Sequence, residues 1–170
     1  MYFCRVNKKL IVMKRATLKT IESNDLVSLY SICFDDSKES EFEQFLSKFK
    51  EESTLNKDFQ TILVALSKII ERGALERFFR MEGKMDDDVC ALSLDSHKLR
   101  LYCLRISDQI LILGNGGVKD TRTYQEDETL SGYVMDLQKF DKLLKQAQKK
   151  GKIVIEKNYI IGLEGATFEL

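Results

Sequence analysis

Apolar residues change their spacing once along this chain, and that change restricts the fold to a mixed class. Phe42, Phe45, Leu46 and Phe49 fall at i, i+3, i+4 and i+7, which makes one apolar stripe along a helix. Phe59, Ile62, Leu63, Leu66, Ile69 and Ile70 keep the same period, and Gly73 follows at a helix C-terminal capping position. From Phe78 the pattern becomes strand-like: Phe78–Met81, then Val89–Leu94, Leu99–Ile106 and Ile110–Leu113. Asp95-Ser96-His97 and Ser107-Asp108-Gln109 separate the last three runs as tight turns. Short strands joined by short turns form an antiparallel meander. Ahead of the helices, Leu26–Phe34 reads as a strand ending at Asp35-Asp36. The spacing predicts a strand, two helices and a meander, an α+β arrangement.

The remainder of the chain adds to this unit. Residues 126–150 predict a third helix with Val134, Leu137, Phe140, Leu144 and Ala147 near one face. Lys139, Lys142, Lys145, Lys149 and Lys150 supply much of the rest, as a solvated face. Gly151 stops it, and Ile153–Ile155 with Tyr159–Ile161 predict a terminal hairpin. The domain reading is an N-terminal extension over 1–25, a core domain over 26–125 and a C-terminal helix and hairpin over 126–170.

Charge and cysteine content narrow the function classes. The 170 residues hold 27 Lys+Arg against 27 Asp+Glu, a balance that opposes indiscriminate nucleic-acid binding but permits a local basic face. Residues 35–58 carry eight acidic and four basic side chains, giving the first helix an acidic outer face. Cys4, Cys33, Cys90 and Cys103 have no close-pair spacing, so they read as buried thiols and not as a structural zinc set. No stretch reaches the ~18 apolar residues of a membrane helix, and Met1–Val12 lacks a leader-like apolar run. Met13 is an alternative start. The expectation is a cytoplasmic protein with no membrane contact.

Three motifs invite chemistry. Gly114-Asn115-Gly116-Gly117-Val118-Lys119 suggests a phosphate loop, but Asp120 stands where such a loop requires Ser or Thr before a helix; the reading is a flexible exit from the last strand. Asp86-Asp87-Asp88 lacks calcium-loop spacing and reads as a solvated turn, and His97 as a polar turn residue. Between 97 and 125, Lys98, Arg100, Arg105, Lys119 and Arg122 face only Asp108 and Asp120. Strand alternation places Lys98, Arg100 and Tyr102 on one face, with Leu99, Leu101 and Cys103 on the other. Such a face suits either solvent or a phosphodiester backbone, with Tyr102 stacking a base.

The segments Lys98-Leu99-Arg100-Leu101-Tyr102-Cys103, Ser107-Asp108-Gln109 and Ile110 to Lys119 resemble the RelE/ParE superfamily of toxin–antitoxin toxins, in particular its phage-derived HigB-like branch. The resemblance covers roughly residues 26–122. It implies a RelE-like fold: a small antiparallel sheet packed against two N-terminal helices, here with the additional C-terminal helix and hairpin. It also implies metal-independent, ribosome-dependent cleavage of mRNA without a cofactor, and a cognate antitoxin protein as partner. Arg100, Lys119, Arg80 and Tyr102 would then be the catalytic residues. Lys84, Lys98, Arg105, Arg122 and Tyr124 would bind substrate. Two alternatives accompany this expectation: a catalytically silent toxin-fold protein-binding module, and a ParE-like gyrase inhibitor.

Overall fold

The computed structural model describes residues 13–83, 87–94, 98–120 and 127–170. Cys4, Lys84, Asp86, the 95–97 turn with His97, Arg122 and Tyr124 lie outside the described residues. Nine strands and three helices follow one another as β1 (Arg15–Ser23), β2 (Ser28–Phe34), α1 (Glu41–Phe49), α2 (Asn56–Arg72), β3 (Phe79–Met81), β4 (Val89–Leu92), β5 (Leu99–Ser107), β6 (Ile110–Val118), α3 (Glu128–Lys149), β7 (Val154–Glu156), β8 (Tyr159–Ile161) and β9 (Phe168–Glu169) among the described residues. Seven strands form one sheet in the order β3-β4-β5-β6-β2-β1-β9. All its pairs are antiparallel except β2 with β6.

Local chemistry sets the first half. Asn24 closes the β1–β2 turn, its Oδ1 accepting the backbone N–H groups of Leu26 and Val27, each at 2.8 Å. Ser40 caps α1 through a reciprocal box with Glu43: Ser40 Oγ accepts the Glu43 N–H and the Glu43 carboxylate accepts the Ser40 N–H. This satisfies two donors that a helix start otherwise leaves unpaired. Gly73 ends α2 at φ +97°, a conformation that L side chains rarely adopt, and its N–H reaches Ile69 O at 2.7 Å. One buried serine ties three elements: Ser31 Oγ on β2 donates to Leu113 O of β6 at 2.7 Å and accepts the Phe42 N–H of α1 at 3.1 Å.

Both faces of the sheet are covered. On one, Phe42, Phe45 and Phe49 of α1 and Phe59, Ile62, Leu66 and Ile69 of α2 pack on Leu29, Leu101, Cys103, Leu111 and Leu113. The Phe45 ring lies 5.1 Å from Phe49 and 6.4 Å from Phe59. On the other, Leu130, Val134, Leu137, Phe140 and Leu144 of α3 pack on Tyr30, Ile32, Tyr102, Leu104 and Ile112, joined by Ile153, Ile160 and Phe168. Successive residues of β6 alternate between the two cores, Ile110 and Ile112 on one side and Leu111 and Leu113 on the other, as the period of a strand requires.

The α+β class, the two helices, the meander, the third helix and the terminal hairpin therefore match the spacing. Three features differ from the sequence expectation. Residues 15–23 form strand β1 and residues 168–169 pair with it. The boundaries at 25/26 and 125/126 thus do not separate independent cores, and the sheet is larger than expected. Tertiary pairing overrides the weak signal of β1, whose residues are mostly half-buried or exposed. The third helix is also no appendage, because it covers the face of the sheet opposite α1 and α2.

The third difference is the glycine run. Gly114 to Gly117 continue β6 and are buried, so this is not a flexible exit. Gly114 and Asn115 of β6 together oppose the single residue Tyr102 of β5, a bulge read from the pairs Leu101↔Gly116 and Cys103↔Leu113. Glycine is required because a Cβ at Gly116 would lie 1.8 Å from Arg100 O, and one at Gly114 would lie 3.0 Å from both Tyr102 O and Leu137 Cδ1. Among the described residues no helix is long and apolar enough to cross a membrane.

Two glycine substitutions should diverge in sign. Gly116→Ala forces backbone apart and should lower unfolding free energy by about 1–3 kcal/mol. Gly132→Ala in α3, where a Cβ meets nothing within 4 Å, should raise it by about 0.5–1 kcal/mol. Urea denaturation of both variants checks the pair, and equal effects would show that β6 does not make the close approach described.

Candidate functional site

The register across β3, β4 and β5 aligns Arg80, Ala91 and Tyr102 in one row. Ala91 and Tyr102 belong to the core under α3, so Arg80 and Arg100, the latter two residues before Tyr102, share that face. Arg80 Nε donates to Glu82 Oε1 at 2.9 Å. Glu82 has only 11% of its side chain exposed, against 39% for Arg80. Arg80 also lines an open cavity of about 390 Å³ along the sheet edge, with Met81, Asp87 and Arg105.

These groups act on one another. Burial is the first cause lowering the proton affinity of the Arg100 guanidinium, and the Arg80 charge is the second; Tyr102, Glu82 and Asp58 oppose the shift. The Arg100 guanidinium is thus held partly desolvated within the field of Arg80, with Glu82 and Asp58 as the opposing carboxylates. Nη2 of Arg80 is buried without a hydrogen-bond partner among the described residues. The Tyr102 phenol is pushed above its ordinary value by burial first and by Glu82 second, with Arg100 and Arg80 opposing. It is a neutral donor at physiological pH.

Tyr102 has 0% exposure, which corrects the expectation that it stacks a base. The α3 helix lies over its ring, so the residue supports its strand neighbour Arg100 from within the core. Lys119 is half-buried at the end of β6; its N–H donates to Lys98 O at 2.9 Å, at the sheet end where Arg100 pairs with Gly117. Lys98 itself is exposed, and its backbone N–H donates to Asp58 Oδ2 at 2.8 Å, attaching the start of β5 to α2. Arg105 lines the same cavity as Arg80, but its donors are engaged: its Nε donates to Ala74 O at 2.7 Å, and its guanidinium pairs with Asp108 and, at 3.8 Å, with Glu76. It fastens the far end of β5 to the segment after α2, a structural use that the strand pattern alone does not distinguish from substrate binding.

Glu82 is the site residue that the sequence motifs do not mark; it lies directly after β3. Its signal is the i, i+2 spacing from Arg80, which in extended chain returns a side chain to the same face.

The other motifs have structural partners. Asn115, in the glycine run, is buried: Oδ1 accepts the Gly116 N–H at 2.8 Å and Lys48 Nζ at 3.2 Å, and Nδ2 donates to Glu41 Oε2 at 3.0 Å. Lys48 Nζ also donates to Tyr133 Oη at 3.1 Å, so the run joins α1, β6 and α3. Asp87 and Asp88 are docked and not freely solvated: Gln138 Nε2 donates to Asp87 Oδ2 at 3.1 Å, and Asp141 Oδ2 accepts the Asp88 N–H at 3.2 Å. Among the described residues no group of three or more His, Cys, Asp or Glu side chains could hold a metal ion. Cys33, Cys90 and Cys103 are buried free thiols. Comparison with protein-family models, curated proteins and solved structures returned no match.

The Asp88–Asp141 contact makes a pH prediction. Burial first, and then the Asp141 charge, raise the Asp88 carboxyl above its ordinary value, while Lys145 opposes the shift. A raised folded-state value means that protonation contributes stability, fully present below the ordinary Asp range of about 3.9 and lost as pH rises through the folded value. Asp88→Asn should therefore remove part of the pH dependence of urea unfolding from about pH 4 to 7. A wild-type-minus-variant difference that stays constant over that interval would refute the coupling.

Proposed function

We propose that the face bearing Arg80, Glu82 and Arg100 engages and cleaves RNA in the manner of a RelE/HigB-like toxin. The observation that carries this reading is the placing of Arg80 and Arg100 on one face of the sheet, with the Glu82 carboxylate bonded to Arg80. Element order supports it: strand β2, helices α1 and α2 and the β4–β6 meander follow the succession that the resemblance implies, with α3 as the addition to it.

In this reading Arg80 and Arg100 hold the scissile phosphate and stabilise charge developing on its equatorial oxygens. Glu82, freed from Arg80 when the phosphate takes its place, accepts the proton of the ribose 2′-OH. The 2′-oxygen forms its bond to phosphorus as the bond to the 5′-oxygen breaks. The products are a 2′,3′-cyclic phosphate and a 5′-hydroxyl, and Lys119 supplies the proton to the leaving oxygen. Tyr102 is a positioning residue under Arg100. An antitoxin protein would be the partner, and the ribosome would present the mRNA.

One observation favours a second reading. Tyr102 is fully covered and Arg80 already has Glu82 as a partner, which suits a protein-binding module without catalysis.

Induced expression in a bacterial host, with primer extension on a reporter mRNA, separates these. Wild type should cleave within translated codons. Arg100→Ala should reduce cleavage by about 100-fold or more, as loss of a preorganised transition-state donor does, and Glu82→Gln should lose cleavage while keeping RNA affinity. Intact mRNA and normal growth from folded wild type would leave the binding module. Blocked replication with intact mRNA would indicate the ParE-like activity.

A further inference from the structure

We infer that the outer face of α3 is a docking surface for the phosphate backbone of RNA, read without sequence preference and separate from the Arg80–Arg100 face. The inference takes up the RNA substrate of the proposed function and places a second contact for it.

Over residues 139–152 the chain has six lysines and one acidic residue, Asp141. Asp141 is buried, and Lys145 is engaged with it at 2.9 Å and with Asp88 at 3.4 Å. Lys139, Lys142, Lys149, Lys150 and Lys152 are exposed, and none of these five forms an ion pair among the described residues. Elsewhere several basic side chains are already matched: Lys14 with Asp136, Arg15 with Asp36, Lys19 with Glu43 and Arg105 with Asp108. In a chain of zero net charge, residues 139–152 at the end of α3 and just past it thus present five exposed lysines and one buried carboxylate.

The geometry is a stripe. At 100° per residue, Lys139, Lys142 and Lys149 fall within roughly 80° of one another, and the row runs about 15 Å along the axis. The inner face of the same helix is committed to the core through Leu130, Val134, Leu137, Phe140 and Leu144, so the stripe faces outward.

Part of this charge complements the negative end of the helix dipole. That accounts for Lys149 and Lys150 in the last turn but not for Lys139 and Lys142, two and three turns earlier. An anionic membrane is the poorer occupant, because surface helices that hold to lipid also present an apolar face to it. Here the apolar face is used against the sheet, and Met135 is the exposed large hydrophobic on the helix. Ammonium groups on flexible stems act as point charges toward phosphate, and no aromatic side chain lies among them to stack a base. Backbone contact without base reading follows.

Fluorescence polarisation with a 2′-O-methyl RNA hairpin, which lacks the nucleophile for cleavage, tests this on the full chain. Wild type is compared with Lys139→Gln/Lys142→Gln/Lys149→Gln and with Lys38→Gln/Lys57→Gln/Lys68→Gln, an equal charge change at exposed lysines elsewhere. Three lost contacts at about 0.7–0.9 each should reduce the slope of log K against log salt by about 2 in the stripe variant. The control should keep the wild-type slope. Equal slopes in wild type and stripe variant, an equal loss in both variants, or binding to phosphatidylserine vesicles but not to the hairpin would each overturn the inference. Because the probe cannot be cleaved, the result is independent of whether Arg100 proves catalytic.

Discussion

Strands β5 and β6 lie inside a sheet covered on both sides, and the rest of the molecule is organised by the need to fill both faces of that pair. Ile110 to Leu113 are completely buried, alternating between a core built by α1 and α2 and a core built by α3. A strand buried on both faces has no solvent side on which to place polar groups, so it reads as a continuous apolar run. Its continuation through Gly114 to Gly117 obeys the same constraint by omission. Side chains are removed where β6 bulges opposite Tyr102 of β5 and where α3 packs down. The polar exception, Asn115, is satisfied through the Gly116 N–H, Lys48 and Glu41. A buried amide without such partners would cost more than the fold gains from it.

The candidate site follows from that burial. Tyr102 belongs to the α3 core, and Arg80 and Arg100 occupy neighbouring positions of the same face, where the Arg100 guanidinium is partly desolvated within the field of Arg80. Desolvation makes each charge more sensitive to its surroundings, so Glu82 has leverage on Arg80, Arg100 and Tyr102 together. Arg105 shows the opposite use of the same residue type, with its donors consumed by Ala74, Asp108 and Glu76. Charge is segregated more widely as well: acidic groups concentrate before and along α1, and lysines along the outer side of α3. A net charge of zero conceals this arrangement.

Much of the fold was legible because it rests on periodicity. The stripe Phe42-Phe45-Phe49 and its continuation in α2 are spaced as a helix must be to bury one side, and the meander is marked by its turns. Strand β1 was not legible, since a sequence such as Thr17-Leu18-Lys19-Thr20 has little apolar alternation and owes its conformation to pairing with β2 and β9. The glycine run was misread for a related reason. Glycine permits many conformations, and only a neighbouring backbone shows which one is in use. Of the site, the shared face of Arg100 and Tyr102 was visible in strand alternation, whereas the approach of Arg80 and Glu82 depends on β3 joining through β4.

The sequence by itself determined the class of the fold, the positions of its helices and meander, and which residues of each element are apolar, because these follow from local spacing over a few residues. Tertiary structure decided which basic residues meet. It placed Arg80 and Arg100 on one face of the sheet, tied Arg105 to Ala74 and Asp108, put Tyr102 under α3 and turned the lysines of that helix outward. Those outcomes depend on strand order and on which face a helix covers, and both are set by contacts between residues far apart in the chain.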